Sequence, residues 1–405
     1  MFGFRRAKGR PRVFYAAAGP GDILRAHRNW RKRVPDSREI SVTFSSQVAD
    51  YCVEHASAAY FVSPHPDKVL VDDEEFTIEH RPRPLPNAHG VAFHLRELWY
   101  GIGLVATALR FRADLALLDS GCTTYPVMFL FKLFGLRVIP IMHMTLWPAG
   151  HRPDGTKAAA FWEASGAFFR FGADAFVGVS PECLRQVDEL TRGHGPPGFE
   201  ALAQFFDHSF ADPTPPPPHG DRFVVLYVGR LEPNKGVFEL VGAAERLERE
   251  QPGRFRFEIW GEGGSAGALR ALVDERDLSG VVEVPGYLTP TDAPAARARS
   301  HVGVVPTRSD FNEGMAMTAI ESVLAGRPVV ATSVVPAAEV LSEASVVCDP
   351  DSEQEIARAL ATLADDADRY TRLAAACEKL RAPFLDRSRG LAAALDAAAR
   401  EAESR

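Results

Sequence analysis

Strand-like and helix-like segments alternate along almost the whole chain, the pattern of parallel sheets covered by helices on both faces. In the first half, Arg12 to Ala17 reads as a strand running into Gly19-Pro20-Gly21-Asp22, followed by a helix from Asp22 to about Arg33. Further strands are expected at Glu39 to Phe44, Ala59 to Val62, Leu115 to Leu118, Val138 to Met142 and Ala175 to Val179. Helices are expected at Ser46 to His55, His94 to Phe111 and Lys157 to Phe171. A proline run between Ser209 and Asp221 interrupts the pattern, because it can continue neither a sheet nor a helix.

Beyond that run the alternation restarts. Strands are expected at Phe223 to Val228, Phe255 to Trp260, Val281 to Val284, Val302 to Val305, Pro328 to Thr332 and Ser345 to Cys348. A helix from Gly236 to about Glu250 places Val237, Leu240, Val241, Ala244 and Leu247 on one face. Another helix is expected to run through Asp277, and three more to begin at Ser352, Asp368 and Leu385. The 405 residues exceed what one hydrophobic core supports, so the fold class is α/β, with two doubly wound Rossmann-like domains facing across a cleft. The expected boundaries are 1–205 for the first domain, 206–221 for a linker, 222–384 for the second domain and 385–405 for a terminal helix.

Composition narrows the function classes. A net charge of −7 argues against nucleic acid as a partner, since that would call for a basic domain. Cys52, Cys122, Cys183, Cys348 and Cys377 are scattered and form no Cys-x-x-Cys pair, so buried free thiols are expected, with no metal site. The apolar window from Tyr125 to Met142 contains Lys132, Arg137 and Pro140, and reads as a buried helix followed by a buried strand. The first dozen residues carry Arg5, Arg6, Lys8, Arg10 and Arg12 in place of a secretion signal, so a cytoplasmic protein is expected. With Arg25, Arg28, Arg31, Lys32 and Arg33 they form either a solvated face or a peripheral contact with anionic membrane.

Two stretches carry chemistry. In Gly229-Arg230-Leu231-Glu232-Pro233-Asn234-Lys235-Gly236, a glycine turns the chain at a strand end and two cations follow beside a helix start, an arrangement suited to a diphosphate. In Glu313-Gly314-Met315-Ala316 through Glu321, a glycine admits close approach near a helix start, and two glutamates two turns apart project from a similar side. Glu321 lies beside Ile320, Val323 and Leu324, and a carboxylate so placed calls for a hydrogen-bonding partner such as a ribose diol.

Together these stretches resemble the GT-B retaining glycosyltransferases of family four, also called group one. The resemblance is dense from Phe223 to Leu341: it takes in Gly229-Arg230-Leu231 with Lys235-Gly236, Gly261-Glu262-Gly263, the two glutamates, and Ala325-Gly326-Arg327-Pro328-Val329-Val330-Ala331-Thr332. It implies that the first domain binds the acceptor, that the second binds the donor, and that the last helix packs back on the first. It further implies that Arg230 and Lys235 hold a donor pyrophosphate, Glu321 the ribose, and Glu313 the transferred sugar. The backbone of Gly314, Met315 and Ala316 would contact sugar or phosphate, His143 would reach the sugar from the opposite domain, and Gly19 and Gly21 would admit phosphates or acceptor. Gly229, Gly261 and Gly263 complete the expected donor site, and the family needs neither metal nor cofactor. Two departures stand out: Met315-Ala316 where Phe-Gly is usual, and Ser333-Val334 where Gly-Gly is usual.

The implied reaction moves a sugar from a nucleoside-diphosphate sugar to a hydroxyl acceptor (a glycan, a lipid-linked molecule or a small molecule) with retention, His143, Glu313, Arg230 and Lys235 being the catalytic candidates. A histidine at a strand end is on its own more often structural than catalytic, but the position of His143 at the expected cleft favours a functional role; Asp119 and Glu97 are alternative acceptor bases. A sugar-nucleotide epimerase of the same plan and a non-catalytic nucleotide-sugar-binding subunit are the competing readings. A dinucleotide dehydrogenase is disfavoured, since no Gly-x-Gly-x-x-Gly follows the first strand of either half.

Overall fold

A computed structural model describes the chain except residues 1–8, 35–38, 87, 154, 207–208, 211–212, 214, 219–221 and 405; for 156–158 it describes the backbone alone. Arg5, Arg6 and Lys8 of the basic arm, and part of the proline run, therefore lie outside the described residues.

The first sheet runs in the order β3 (Val69–Asp73), β4 (Phe76–His80), β2 (Ala58–Ser63), β1 (Arg12–Ala16), β5 (Leu115–Asp119), β6 (Arg137–Met142), β7 (Phe176–Gly178) and β8 (Gly198–Glu200). Its centre is β1 (Arg12–Ala16), flanked in parallel by β2 (Ala58–Ser63) and β5 (Leu115–Asp119), with β6 (Arg137–Met142) beyond. Every residue of β5 is buried, as a strand covered on both faces requires. Asp22 caps α1 (Ile23–Lys32) by accepting the Arg25 amide at 2.8 Å. The apolar window divides into α4 (Tyr125–Leu133) and β6.

Three expectations needed correction. Glu39 to Phe44 is not a strand: Ser41 makes a single bridge to Phe205, and Phe44 already begins α2 (Phe44–His55). Thr43 decides this, because its hydroxyl accepts the Ser46 amide at 3.2 Å and starts the helix early. An unexpected hairpin, β3 (Val69–Asp73) with β4 (Phe76–His80), forms one edge, and β8 (Gly198–Glu200) forms the other. The last helix does not begin at Leu385. A short helix, Ala382–Leu385, and a 3-10 turn, Arg387–Arg389, precede α15 (Leu391–Ser404).

The second sheet runs in the order β11 (Val282–Gly286), β10 (Phe255–Trp260), β9 (Phe223–Val228), β12 (Val302–Val305), β13 (Val329–Thr332) and β14 (Ser345–Cys348), and is parallel throughout. Its central strands are β9 (Phe223–Val228) and β12 (Val302–Val305). α7 (Val237–Glu250) buries Val237, Leu240, Val241, Ala244 and Leu247, the face its spacing predicts.

The chain then returns to the first domain. Phe205 N donates to Phe384 O and Leu202 N to Arg389 O, each at 3.0 Å. α15 buries Leu391, Ala394, Leu395 and Ala398 in a cluster with Val48 and Cys52 of α2. Gly390 permits this approach, since a Cβ there would lie 2.6 Å from Gln47 Oε1, the atom that accepts the Leu391 amide. Linker residues are held by buried arginines of the second domain: Arg381 donates to Phe210 O, and Arg327 to Pro215 O at 3.2 Å. All five cysteines are free and buried. Among the described residues no helix is long and apolar enough to cross a membrane, and no cluster of side chains suits a metal ion.

Candidate active site

The loops that follow β9 and β10 are held together by close backbone packing. β9 ends at Gly229, whose amide donates to Trp260 O at 3.0 Å, and Leu231 N donates to Glu262 O at 2.8 Å. Gly261 has φ 149°, and a Cβ on it would lie 1.7 Å from Gly229 O; one on Gly263 would lie 2.4 Å from Leu231 O. The small size of both glycines thus serves the contact between the two loops. Tyr227 fixes the loop from below, its hydroxyl donating to Arg230 O at 2.7 Å. The Arg230 side chain is exposed, with its guanidinium 5.6 Å from the centre of the Phe311 ring.

A 3-10 turn, Pro233–Lys235, leads to Gly236, which sits at φ 72° just before α7. A Cβ on Gly236 would lie 1.8 Å from Pro306 O, so only glycine lets the loop after β12 come this near. That approach joins the two stretches. Lys235 Nζ contacts Glu313 Oε2 at 2.6 Å, and Thr307 Oγ1 donates to the same oxygen at 3.1 Å. Lys235 Nζ also lies 4.0 Å from the centre of the Phe311 ring. Arg230, Lys235 and Glu313 therefore gather around Phe311.

The two glutamates do not share one helical face, contrary to expectation. α10 spans Met317–Leu324, so only Glu321 is on it, while Glu313 lies in the preceding loop. Ala316 sets the boundary: at φ 61°, ψ 80° it adopts the left-handed conformation and ends any helical path from Glu313. No side chain caps the helix start at Ala316. Glu321 pairs with buried Arg297 at 2.5 Å, beside a small cavity lined by Leu226, Val228, Val304 and Thr318. Burial pushes the Glu321 carboxyl above its ordinary range, and Arg297 opposes that shift. Because Ala316 sits where glycine is favoured, Ala316→Gly is expected to stabilise the protein by up to about 1 kcal/mol, the left-handed penalty less glycine's entropy loss. A higher thermal midpoint checks this.

The facing domain contributes Asp119, at the end of β5, and His143, just past β6. His143 Nε2 lies 2.8 Å from Asp119 Oδ1, off the line of a hydrogen bond. The other carboxylate oxygen accepts the Tyr15 hydroxyl at 2.8 Å and the Ala18 amide at 3.2 Å. Burial and Asp119 hold Tyr15 as a phenol. Phe44 packs on the imidazole, ring centres 4.3 Å apart. Gly19 and Gly21 follow β1, with open space where a Cβ would stand. Glu97, by contrast, is sealed: its carboxylate accepts Arg96 at 2.8 Å and Arg83 at 3.3 Å, which removes it as an acceptor base.

The two halves touch at the site itself. A Cβ on Gly314 would lie 2.0 Å from His143 O, and Asn312 Nδ2 donates to Leu146 O at 3.0 Å and to Thr145 O at 3.3 Å. Met315 is buried in an apolar cluster that includes Leu146 and Trp147 of the facing domain. Gly314 thus admits protein backbone across the cleft, not only near its own helix. A broad concavity of about 1340 Å³ lies elsewhere, between α1, α2 and α15. It contains none of these groups and adjoins residues outside the described set, so we place the site at the cleft.

Thr307, Phe311, Asn312, Arg297 and Tyr15 were not singled out from sequence. Of these, only Phe311 and Asn312 carried any signal, as immediate neighbours of Glu313.

Residues 211–380 match the family described as Glycosyl transferases group 1. This match takes in the second domain, somewhat under half of the chain. O-antigen chain mannosyltransferase B of Escherichia coli is 32% identical over 144 residues, 35% of this chain and 37% of that relative. The alignment thus spans little more than a third of the relative's length. Over the whole chain the likeness is one of fold. Sucrose-phosphate synthase of Thermosynechococcus elongatus superposes with a TM-score of 0.71 at 16% identity, covering 98% of this chain and 100% of that one. HepE of Anabaena, solved in complex with UDP, gives 0.63 at 15% identity, covering 97% and 99%. The fold is GT-B, with Gly314 of the second domain set against the backbone of His143 in the first.

Proposed function

We propose that the protein transfers a glycosyl unit from a nucleoside-diphosphate sugar to a hydroxyl acceptor, with retention at the anomeric carbon. The observation carrying this reading is the convergence of Lys235, Arg230 and Glu313 around Phe311, where Gly314 meets the backbone of His143. Two neighbouring cations suit a pyrophosphate whose charge grows as the glycosidic bond breaks, and charge stabilisation of that kind is a large catalytic term. Glu313 holds Lys235 in place and borders the sugar, Glu321 accepts the ribose hydroxyls, and His143 with Asp119 meets the sugar from the acceptor side. The acceptor hydroxyl attacks from the face the leaving phosphate vacates, and that phosphate takes its proton. In this scheme Arg230 and Lys235 supply the positive charge that a metal ion would otherwise bring. UDP bound to HepE supports a nucleotide donor by likeness of fold alone.

Thermal-shift screening against nucleoside diphosphates and their sugars, followed by assay of released nucleotide, tests the proposal. One nucleotide family is expected to raise the midpoint and its sugar to be turned over; a chain that binds none of them is not such a transferase. Glu321→Ala is expected to weaken nucleotide binding by about tenfold, the loss of a hydrogen bond to a charged group. In the unaltered protein, affinity should fall as pH drops through the raised Glu321 value, above the usual carboxylate range, because protonation removes the charged acceptor. Calorimetric titration at several pH values reads both effects.

A further inference from the structure

We propose that the outward face of α3 (Gly90–Phe111) is a docking surface for an anionic lipid bilayer. The inner side of this helix packs on the first sheet through Tyr100, Leu104, Val105 and Ala108, all buried. The opposite side carries Val91, Leu95, Leu98, Trp99 and Ile102, a single stripe at helical spacing. All five are exposed, Trp99 at 72% and Leu95 at 62%. Large apolar side chains scattered singly over a surface need no explanation, but five aligned on one helix mark an interaction site.

Leu85 extends the stripe. It is 69% exposed and sits at φ 51°, a left-handed conformation that is costly for a leucine. Buried Arg96 holds this loop by donating to Leu85 O at 3.2 Å and to Pro86 O at 3.1 Å. The fold thus keeps a strained, apolar residue pointing into water beside the stripe.

Charge identifies the partner. Between residues 81 and 112 the chain has five arginines and one acid, Glu97. Glu97 is buried between Arg83 and Arg96, so no exposed carboxylate lies between residues 81 and 112. Arg110 and Arg112 are exposed where the helix ends and make no ion pair among the described residues. An apolar stripe with an exposed tryptophan and two exposed arginines at its end matches a helix lying in the headgroup plane of anionic lipid. A second copy of this face would bring no carboxylate to meet those arginines.

The surface also has an orientation. Arg83 donates to Gly121 O and, at 3.0 Å, to Cys122 O, in the turn directly after Asp119. The loop bearing Leu85 therefore adjoins the rim that holds Asp119 and His143, so a docked molecule turns its cleft toward the headgroups. This inference stands apart from the transferase reading and does not use the basic arm.

Co-sedimentation of the full chain with vesicles of equal phosphatidylglycerol and phosphatidylcholine, against vesicles of phosphatidylcholine alone, tests it. Binding to the anionic vesicles is expected, together with quenching of tryptophan emission by brominated acyl chains. Of the five tryptophans, Trp99 alone is exposed; Trp147 is buried, and Trp30, Trp162 and Trp260 are partly so. Trp99→Phe should abolish most of the quenching while still sedimenting. The double variant Leu95→Ser with Trp99→Ser should lower the bound fraction about tenfold or more, with nucleotide-induced thermal shifts unchanged. The proposal is overturned if the unaltered protein stays in the supernatant at low salt, or if the double variant sediments equally well. It is also overturned if the face instead drives a dimer that the double variant dissolves. Loss of the nucleotide shift in the unaltered protein would count against the transferase reading and leave the docking result to be read on its own.

Discussion

Lys235→Ala is expected to lower kcat/KM for the nucleotide sugar by about 10² to 10³-fold, the range seen when one preorganised donor to a developing negative charge is removed. Lys235 is placed for that task by three independent constraints. Gly236 lets its turn approach Pro306, Glu313 holds Nζ at 2.6 Å, and the Phe311 ring lies 4.0 Å away. Loss of the ammonium leaves Glu313, among the described residues, with only the Thr307 hydroxyl as hydrogen-bond partner, so the expected defect includes a mispositioned carboxylate. Lys235→Arg separates the two contributions: it keeps the charge but cannot reproduce a compact Nζ in this setting. Steady-state kinetics of both variants, with nucleotide affinity measured separately, read the split. A fall in kcat with little change in nucleotide affinity places Lys235 at the transition state. Unchanged kinetics in Lys235→Ala would remove the donor site from this part of the cleft.

Much of this arrangement was legible before any coordinates. Strands buried on both faces, such as β5 and β12, stand out as short apolar runs, and the capping residue Asp22 marks its helix. The hairpin Val69–Asp73 and Phe76–His80 was not legible, because its outer strand is half exposed and carries acids that read as a loop. Glu39 to Phe44 misled for the opposite reason: its composition suits a strand, while a cap formed by Thr43 redirects the chain. At the site, Arg230, Lys235, Glu313 and Glu321 could be picked out because their spacing is local. Phe311 and Thr307 join them only through the approach of two loops distant in sequence, and Arg297 reaches Glu321 from a separate helix, Ala293–Arg299. The helical face assumed for the two glutamates failed at one residue, Ala316, whose backbone conformation its side chain does not advertise.

Gly314→Ala is the other substitution expected to act strongly, and it tests the meeting of the domains instead of the charges. The new methyl would lie 2.0 Å from His143 O, a backbone atom of the facing domain, which no rotamer change can relieve. Gly314 has no positive φ, so alanine is sterically blocked there without backbone strain of its own. Relief must come from a shift of one domain against the other by about an ångström, and misplacement on that scale costs on the order of 10²-fold in rate. The expected result is a loss of that size in kcat/KM with nearly unchanged thermal stability. Gly236→Ala is the contrasting control, because its methyl would meet Pro306 O at 1.8 Å within one domain and at φ 72°. There the strain cannot be relieved by domain motion, and a lowered unfolding midpoint should accompany the loss of activity. If Gly314→Ala retains full activity, then the contact between Gly314 and His143 is not part of the reacting geometry, and His143 must meet its substrate in a more open arrangement of the two domains.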